Sequence, residues 1–569
     1  MDDETNIPMI LRKKIPKKFE EIKNGDYTFD DYYYPVHLYL RENDVRVEEN
    51  SSEISQFLKG KNVLVTGGTG FLGKLLVEKL IRSCKDIGKV YIIIRQKKGK
   101  DFQVRTKEFL DNWVFYKLAE IYPDFRKKIV ALSGDFAEED LGLSEESRQI
   151  IYDNVNIIYH AAATIRFDEK IKTAVDINIK GTREIIRIAK RCKNFDVFTY
   201  ISTAYSNCHM KRIGEQLYQP VMDPDLLIQV TDKTPEPILA RITPGLLGPL
   251  PNTYAFTKQI AEHVVGQEAL GIPACVYRPS IVIASVKEPI RSWIDNIYGP
   301  VGLIQGAVIG LLHIMIGNPE GRADLVPVDY VINSCIASSY KTAQDRSLSD
   351  IPVFNYTTSD TNALLWKHLV LCTYQGWKVG SEKLLWKYFF RFTNNKYIFR
   401  TLHFLLEIIP AHIIDFTAVR AGKKAMLVKI HEKIGKFVDV LSYFTLGEWD
   451  FDRTNTVNLW NSLNETDKKN FAFDMDSLDW VHYFDTYLIT LREFLLLEYL
   501  DNHEAGAAVI RRNATLHYAT VVILNVLSVY FLLNTIFFFV PVGIISITIY
   551  YLYDHYMSVD RYIRSKGRK

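Results

Sequence analysis

A doubly wound α/β fold with a parallel sheet is predicted for residues 56–350, and three observations predict it. Short apolar runs recur at 62–66, 90–95, 129–133, 155–160 and 197–202, with another at 274–278 after a Gly-Ile-Pro break. Stretches with helical spacing, such as 74–84 and 182–192, separate several of them. The first run leads straight into a glycine-rich segment. Strands separated by helices pair in parallel, and runs apolar on both faces are what a sheet covered on both sides requires.

The chain divides in order. Residues 1–55 are an extension that opens MDDETNIPMILRKK, acidic first and only briefly apolar, unlike a signal peptide. Its basic stretch at 11–24 reads as a solvated face, with an anionic membrane surface as the other reading. Residues 351–512 are rich in aromatic and long aliphatic side chains. Helical spacing at 423–437 and 480–499 predicts a mostly helical domain, its apolar faces core or the lining of a channel for a greasy substrate. Between Arg512 and Asp554 lie 41 residues without Asp, Glu, Lys or Arg. A bilayer span needs about 20 apolar residues, so 513–553 is expected to be a membrane segment. Pro541 and Gly543 divide it: 519–540 is long enough to span and 542–553 is not, so one span is preferred over a shallow hairpin. A basic tail, 554–569, ends the chain.

Composition narrows the function classes. Of 569 residues, 47% are hydrophobic and 24% charged, an ordinary globular mixture that argues against a disordered or polytopic chain. The formal net charge of +3 points to no nucleic-acid partner. The 6 cysteines lack any C-x-x-C pair, so neither a disulfide framework nor a metal site is expected, and a reduced, cytosol-facing catalytic portion is the simplest reading.

The chemistry-bearing residues stand where the predicted strands end. In NVLVTGGTGFLG, Gly67 permits a tight turn, Gly70 lets backbone approach a pyrophosphate, and Gly73 lets helix pack on strand. Phe71 and Leu72, between the last two glycines, are assigned to the same cofactor site. After the second run, YIIIRQKKGK offers Arg95 and no carboxylate, so a 2′-phosphate is attracted and NADPH is favoured over NADH. Lys97, Lys98 and Lys100 read as a solvated loop. Asp135 in SGDF is placed for an adenine amino group, or forms a turn. Ala161 and Ala162 in HAAAT are small enough to let a cofactor cross the sheet edge, while His160 reads as a satisfied strand-end residue. Tyr254 and Lys258 in NTYAFTK share a helix face at i, i+4. An ammonium beside a phenol is expected to lower its pKa, and the phenol can then act as general acid toward a carbonyl oxygen. Thr203, or failing it Ser202, in YISTAY can bond that oxygen or merely cap the strand end.

Together TGGTGFLG, ISTAY, YAFTK and YRPSIV resemble the extended short-chain dehydrogenase/reductase superfamily, whose sheet is of Rossmann type. The longer strings KGKNVLVTGGTGFLGK, HAAATIRFDE, SWIDNIYGPVG and DLVPVDYVIN look like the animal fatty acyl-CoA reductases over about residues 55–340. A less specific likeness, with FDRTNT and WDFD, extends through 400–500. The resemblance implies reduction of a long-chain acyl-CoA to a primary alcohol with two NADPH, through a hemithioacetal and an aldehyde. It implies Tyr254 as acid, Lys258 and Thr203 beside it, and Pro279 and Ser280 flanking the nicotinamide. Tyr298-Gly299-Pro300 stands where the family often has Asn-Gly-Pro, and the N-terminal extension is longer than most. A lipid bilayer is the expected partner of the tail, with the endoplasmic reticulum favoured over peroxisome or lipid droplet. Two other readings share these motifs: a membrane-bound dehydrogenase of another carbonyl substrate such as a steroid, and a non-catalytic cofactor-binding scaffold. A sugar-nucleotide epimerase, which needs NAD, is disfavoured by Arg95.

Overall fold

Seven parallel strands, numbered β1–β7 along the chain, form the central sheet in the order β7-β6-β5-β4-β1-β2-β3. They are β1 Val63–Thr66, β2 Val90–Ile94, β3 Ile129–Ser133, β4 Ile157–His160, β5 Val197–Ile201, β6 Ala274–Pro279 and β7 Val353–Tyr356. The computed structural model describes residues 45–534 apart from 97–98, 359–360, 371–372, 374–379, 497 and 499–502, and beyond them 546 and 548–555. Lys97, Lys98, Cys372 and most of the extension and basic tail therefore lie outside the described residues.

The first six strands coincide with the six apolar runs to within two residues at either end. Every residue of β1, β2, β4, β5 and β6 is buried, as continuous Val/Ile/Tyr runs require in a sheet covered on both faces. β7, the edge strand, pairs with β6 from Val353↔Val276 to Tyr356↔Pro279. It lies just past 350, inside the stretch whose aromatic content predicts helix.

The crossovers are helices, including α1 Phe71–Ser83, α2 Gly181–Arg191, α3 Thr253–Glu268 and α4 Val328–Asp345. α1 is buried even along its charged side, because Glu78, Lys79 and Arg82 converge with Glu288. Lys79 reaches Glu288 at 2.6 Å and Arg82 reaches it at 2.9 Å. Burial raises the Glu288 carboxyl, but the two cations outweigh it and hold it near 2. Buried charges persist here because each is paired.

The chain forms two compact units that interleave in sequence. One gathers Met1–Asn296, Arg322–Leu364 and Gly447–Thr490, and contains the sheet; the other gathers Ile297–Gly321, Leu365–Leu446 and Leu491–Lys569. The region predicted to be helical thus contributes to both. In the second unit the main helices are α5 Lys396–Arg420, whose middle turn Phe404–Ile408 is π-helical, and α6 Leu427–Leu446. α7, Trp480–Phe494, belongs to the first unit as far as Thr490, and α8, His503–Asn534, belongs to the second. α8 covers the start of the predicted span at 519–540 and leaves Val522, Ile523, Val526, Val529 and Tyr530 exposed. Residues 535–545 lie outside the described residues. Among the described residues one helix, α5, is long and apolar enough to cross a membrane by length and composition.

Candidate active site

The strand order reverses between β1 and β4, and in open α/β sheets ligands bind beyond the carboxyl ends of strands at such a switch point. Thr66 of β1 lies opposite His160 of β4, so Gly67 and Ala161 emerge side by side. Gly67 has φ +69°, a left-handed conformation, and a Cβ there would lie 2.8 Å from the Ala162 nitrogen. Ala161 and Ala162 thus serve a close backbone approach to the glycine turn. A Cβ on Gly73 would lie 2.2 Å from the Gly67 carbonyl oxygen, so helix and turn pack at a distance only glycine allows. Gly70 precedes α1 with no side-chain cap, and the amides of Phe71, Leu72 and Gly73 form the uncapped first turn that an anion such as a pyrophosphate fits. The Phe71 ring stacks on Trp293, with centroids 5.3 Å apart, so its packing role is separate from its amide.

At the ends of β2 and β3, Arg95 and Asp135 meet: Arg95 Nε is 3.7 Å from the Asp135 carboxylate. The same carboxylate accepts the Ala137 amide at 3.1 Å, which is the turn reading of Asp135. Arg95 is about half exposed, at 47%, and remains open to a ligand phosphate.

The Tyr/Lys pair lies on α3, which begins at Asn252, whose side chain accepts the Ala255 amide at 2.9 Å. Lys258 is buried, donates to the Ile201 carbonyl at the end of β5 at 2.6 Å, and lies 4.2 Å from the Tyr200 ring centroid. Burial lowers its ammonium to about 7, against the pull of Glu262 one helical turn on. The Tyr254 phenol is pushed above its ordinary value by burial, while its hydrogen bond with Thr203 pulls the other way. The predicted lowering by Lys258 is not what prevails, because desolvation dominates. A phenol that keeps its proton suits a general acid. Thr203 also accepts the Tyr205 amide at 3.3 Å. Ser202 is buried, and its hydroxyl has no partner among the described residues. Pro279 ends β6, and the Ser280 hydroxyl donates to the Asp324 carbonyl at 2.9 Å.

His160 bonds Thr66 through Nδ1 at 2.7 Å and Thr182 through Nε2 at 2.9 Å, and burial holds it well below the usual imidazole range. It is a satisfied, neutral strand-end residue.

Two residues that the sequence reading passes over organise the site. Asn178 lies in a π-helical turn, Asp176–Lys180, leading into α2. Its amide donates to Thr257 at 2.9 Å, between Tyr254 and Lys258 on α3, and its carbonyl accepts the Thr164 amide at 2.9 Å. An asparagine inside an apolar helical run was the available signal. Glu262 is paired with buried Arg278 of β6 at 2.7 Å and 2.9 Å. Its i+4 spacing from Lys258 was readable.

Comparison with known proteins gives a consistent kinship. Residues 65–335 match an NAD-binding family model described as Male sterility protein, and residues 406–498 match a second model of the same description. The chain is 36% identical over 512 residues to Fatty acyl-CoA reductase wat of Drosophila melanogaster, covering 90% of this chain and 97% of that one. To Fatty acyl-CoA reductase 1 of Homo sapiens it is 37% identical over 477 residues, 83% and 92% of the respective chains. Among solved structures, the reductase domain of a nonribosomal peptide synthetase from Mycobacterium tuberculosis superposes with a TM-score of 0.51 at 17% identity, covering 82% of this chain and 99% of that one. That likeness concerns the fold alone.

Proposed function

The chain belongs to the fatty acyl-CoA reductase family, and from that premise we propose that it reduces long-chain fatty acyl-CoA to primary fatty alcohol with two NADPH. It is an oxidoreductase with a nicotinamide-binding domain. The observation that carries the finer reading is the convergence of Tyr254, Lys258 and Thr203 at the end of β5. When bound, the nicotinamide supplies hydride to the carbonyl carbon. Gly67, Gly70 and Gly73 admit the pyrophosphate, the α1 amides bond it, and Arg95 attracts the 2′-phosphate.

Tyr254 gives its proton to the thioester carbonyl oxygen as hydride reaches the carbon, and a hemithioacetal forms. Thr203 donates to the same oxygen and holds it against the phenol. Loss of the CoA thiol leaves an aldehyde, whose oxygen takes a proton from Tyr254 in a second round to give the alcohol. Lys258, anchored on the Ile201 carbonyl, orients the phenol and, when charged, stabilises it as the proton leaves. The apolar segment that α8 enters holds the chain at a bilayer, where acyl chain and alcohol both partition. In this reading the catalytic unit faces the cytosol, and the endoplasmic reticulum is the favoured compartment.

The test is a product assay on membranes carrying the full chain with NADPH and an acyl-CoA panel. Two NADPH consumed per alcohol formed is the expected ratio; aldehyde at one NADPH would limit the reaction to its first half. Arg95→Glu tests the cofactor assignment by titration. It places a second carboxylate beside Asp135, and NADPH affinity is expected to fall on the order of a hundredfold while NADH affinity changes little. Equal losses would remove Arg95 from the 2′-phosphate.

A further inference from the structure

Helix α5 is built inside out. From the π-helical turn onward its buried positions, spaced i, i+4, are Glu407, Ala411 and Asp415; before the turn the buried residue is Phe399. Outward stand Ile409, Ile413, Phe416 and Val419, the last three each more than half exposed at 59%, 58% and 58%. A helix facing water directs its apolar stripe to the core and its charges to solvent. From Phe404 onward the two carboxylates are inside and the large apolar side chains outside; before that turn Phe399 is buried while Ile398 is exposed.

The inward carboxylates are held by backbone. Glu407 accepts the amides of His313 and Ile314 at 2.7 and 3.2 Å, and the His403 Nδ1 lies 2.7 Å from its other oxygen. Asp415 accepts the amides of Met426, Leu427 and Val428 at 2.9, 3.0 and 3.0 Å, and so caps α6. These are the only acidic residues in 396–431, so α5 and the turn after it show solvent no carboxylate; the next one along the chain, Glu432, is exposed on α6. The cations of 396–431 are all outside: Lys396, Arg400, Arg420, Lys423, Lys424 and Lys429 are exposed. Lys423 and Lys424 stand in the turn after α5, beside exposed Met426.

An apolar stripe rimmed by cations and free of anions has the chemistry of a lipid interface with negatively charged headgroups. A second copy of the same face is disfavoured, because like patches would bring their cations together. We propose that the outer face of α5, with the lysine turn that follows it, docks flat into the headgroup–acyl boundary of an anionic bilayer. The contact is separate from the C-terminal segment and does not cross the membrane, since Glu407, Ala411 and Asp415 keep one side of the helix against its own unit.

The test uses the full chain in phosphatidylcholine vesicles with and without phosphatidylserine. An environment-sensitive fluorophore is placed at Phe416→Cys, and in a second protein at the exposed Asp345→Cys, with unsubstituted protein as the labelling blank. Lipids brominated along their acyl chains are expected to quench the label at 416 several-fold more than the label at 345, and more strongly when phosphatidylserine is present. Lys423→Glu combined with Lys424→Glu is expected to remove the phosphatidylserine dependence while leaving the melting temperature in detergent unchanged. Equal quenching at 416 and 345 would overturn the proposal. So would label-to-label quenching that needs no brominated lipid, which would place a second copy on the face.

Discussion

The turn at the end of β1 and the helix α5 are built from similarly apolar sequence and use it in opposite ways. In the turn, Val63, Leu64 and Val65 are sealed in the sheet, and the backbone amides of α1 are left for a ligand. In the second half of α5 the carboxylates are sealed, Glu407 and Asp415 each spent on backbone amides, and Ile413 and Phe416 are left outside. The contrast teaches that apolar content does not say which way a face points. The partners of the few polar residues do, because a buried carboxylate persists only where donors meet it.

The largest expected effect lies on the catalytic side. Tyr254→Phe removes the proposed acid and leaves the cofactor crevice as it is, so turnover should fall about 10²–10⁴-fold with NADPH affinity nearly unchanged. Unaltered turnover would end the assignment.

The next two substitutions set the regions against each other. Glu407→Ala strands two buried amides, and ~1–3 kcal/mol of stability should be lost, read from denaturant midpoints. Gly73→Ala drives a methyl into the Gly67 carbonyl and should cost about 1–3 kcal/mol while abolishing cofactor titration. One change takes atoms from a buried site and the other adds a methyl to one; similar losses would show that both regions are governed by what is buried.

A smaller effect concerns pH. In the proposed mechanism the Lys258 ammonium, brought by burial to about 7, supports the phenol, so kcat/KM for reduction should fall as pH rises through that value. Glu262 favours the ammonium; Glu262→Gln therefore lowers the Lys258 pKa and should move the falling limb to lower pH. A limb that stays in place would separate Glu262 from the catalytic helix's electrostatics. The smallest effect is expected at Phe416→Ser, within about 0.5 kcal/mol in detergent, because the ring is already outside. A loss like that of Glu407→Ala would mean that this face is core after all.

Much of the sheet was legible because its signals are local. A parallel strand of this sheet is a continuous run of β-branched and aromatic residues, and six of seven announce themselves so; β7, VFNY, is interrupted by Asn355 and sits in aromatic surroundings. The glycines and the Tyr254/Lys258 spacing were legible for the same reason, since turn geometry and helical period act over a few residues. Asn178 was not, because its partners Thr164 and Thr257 are distant in sequence and only the π-helical turn aims it at α3.

The amino-acid sequence by itself determined the alternating fold, the glycine turn that opens α1, the i, i+4 spacing of Tyr254 and Lys258 and the apolar C-terminal run. These follow from periodicity, backbone permissiveness and side-chain chemistry along a short stretch of chain. Only the tertiary structure decided that Lys258 is buried enough to titrate near 7, that His160 is silenced by Thr66 and Thr182, and that α5 faces outward with its oils rather than its acids. Burial and partner choice depend on which distant segments meet, and no local pattern carries that information.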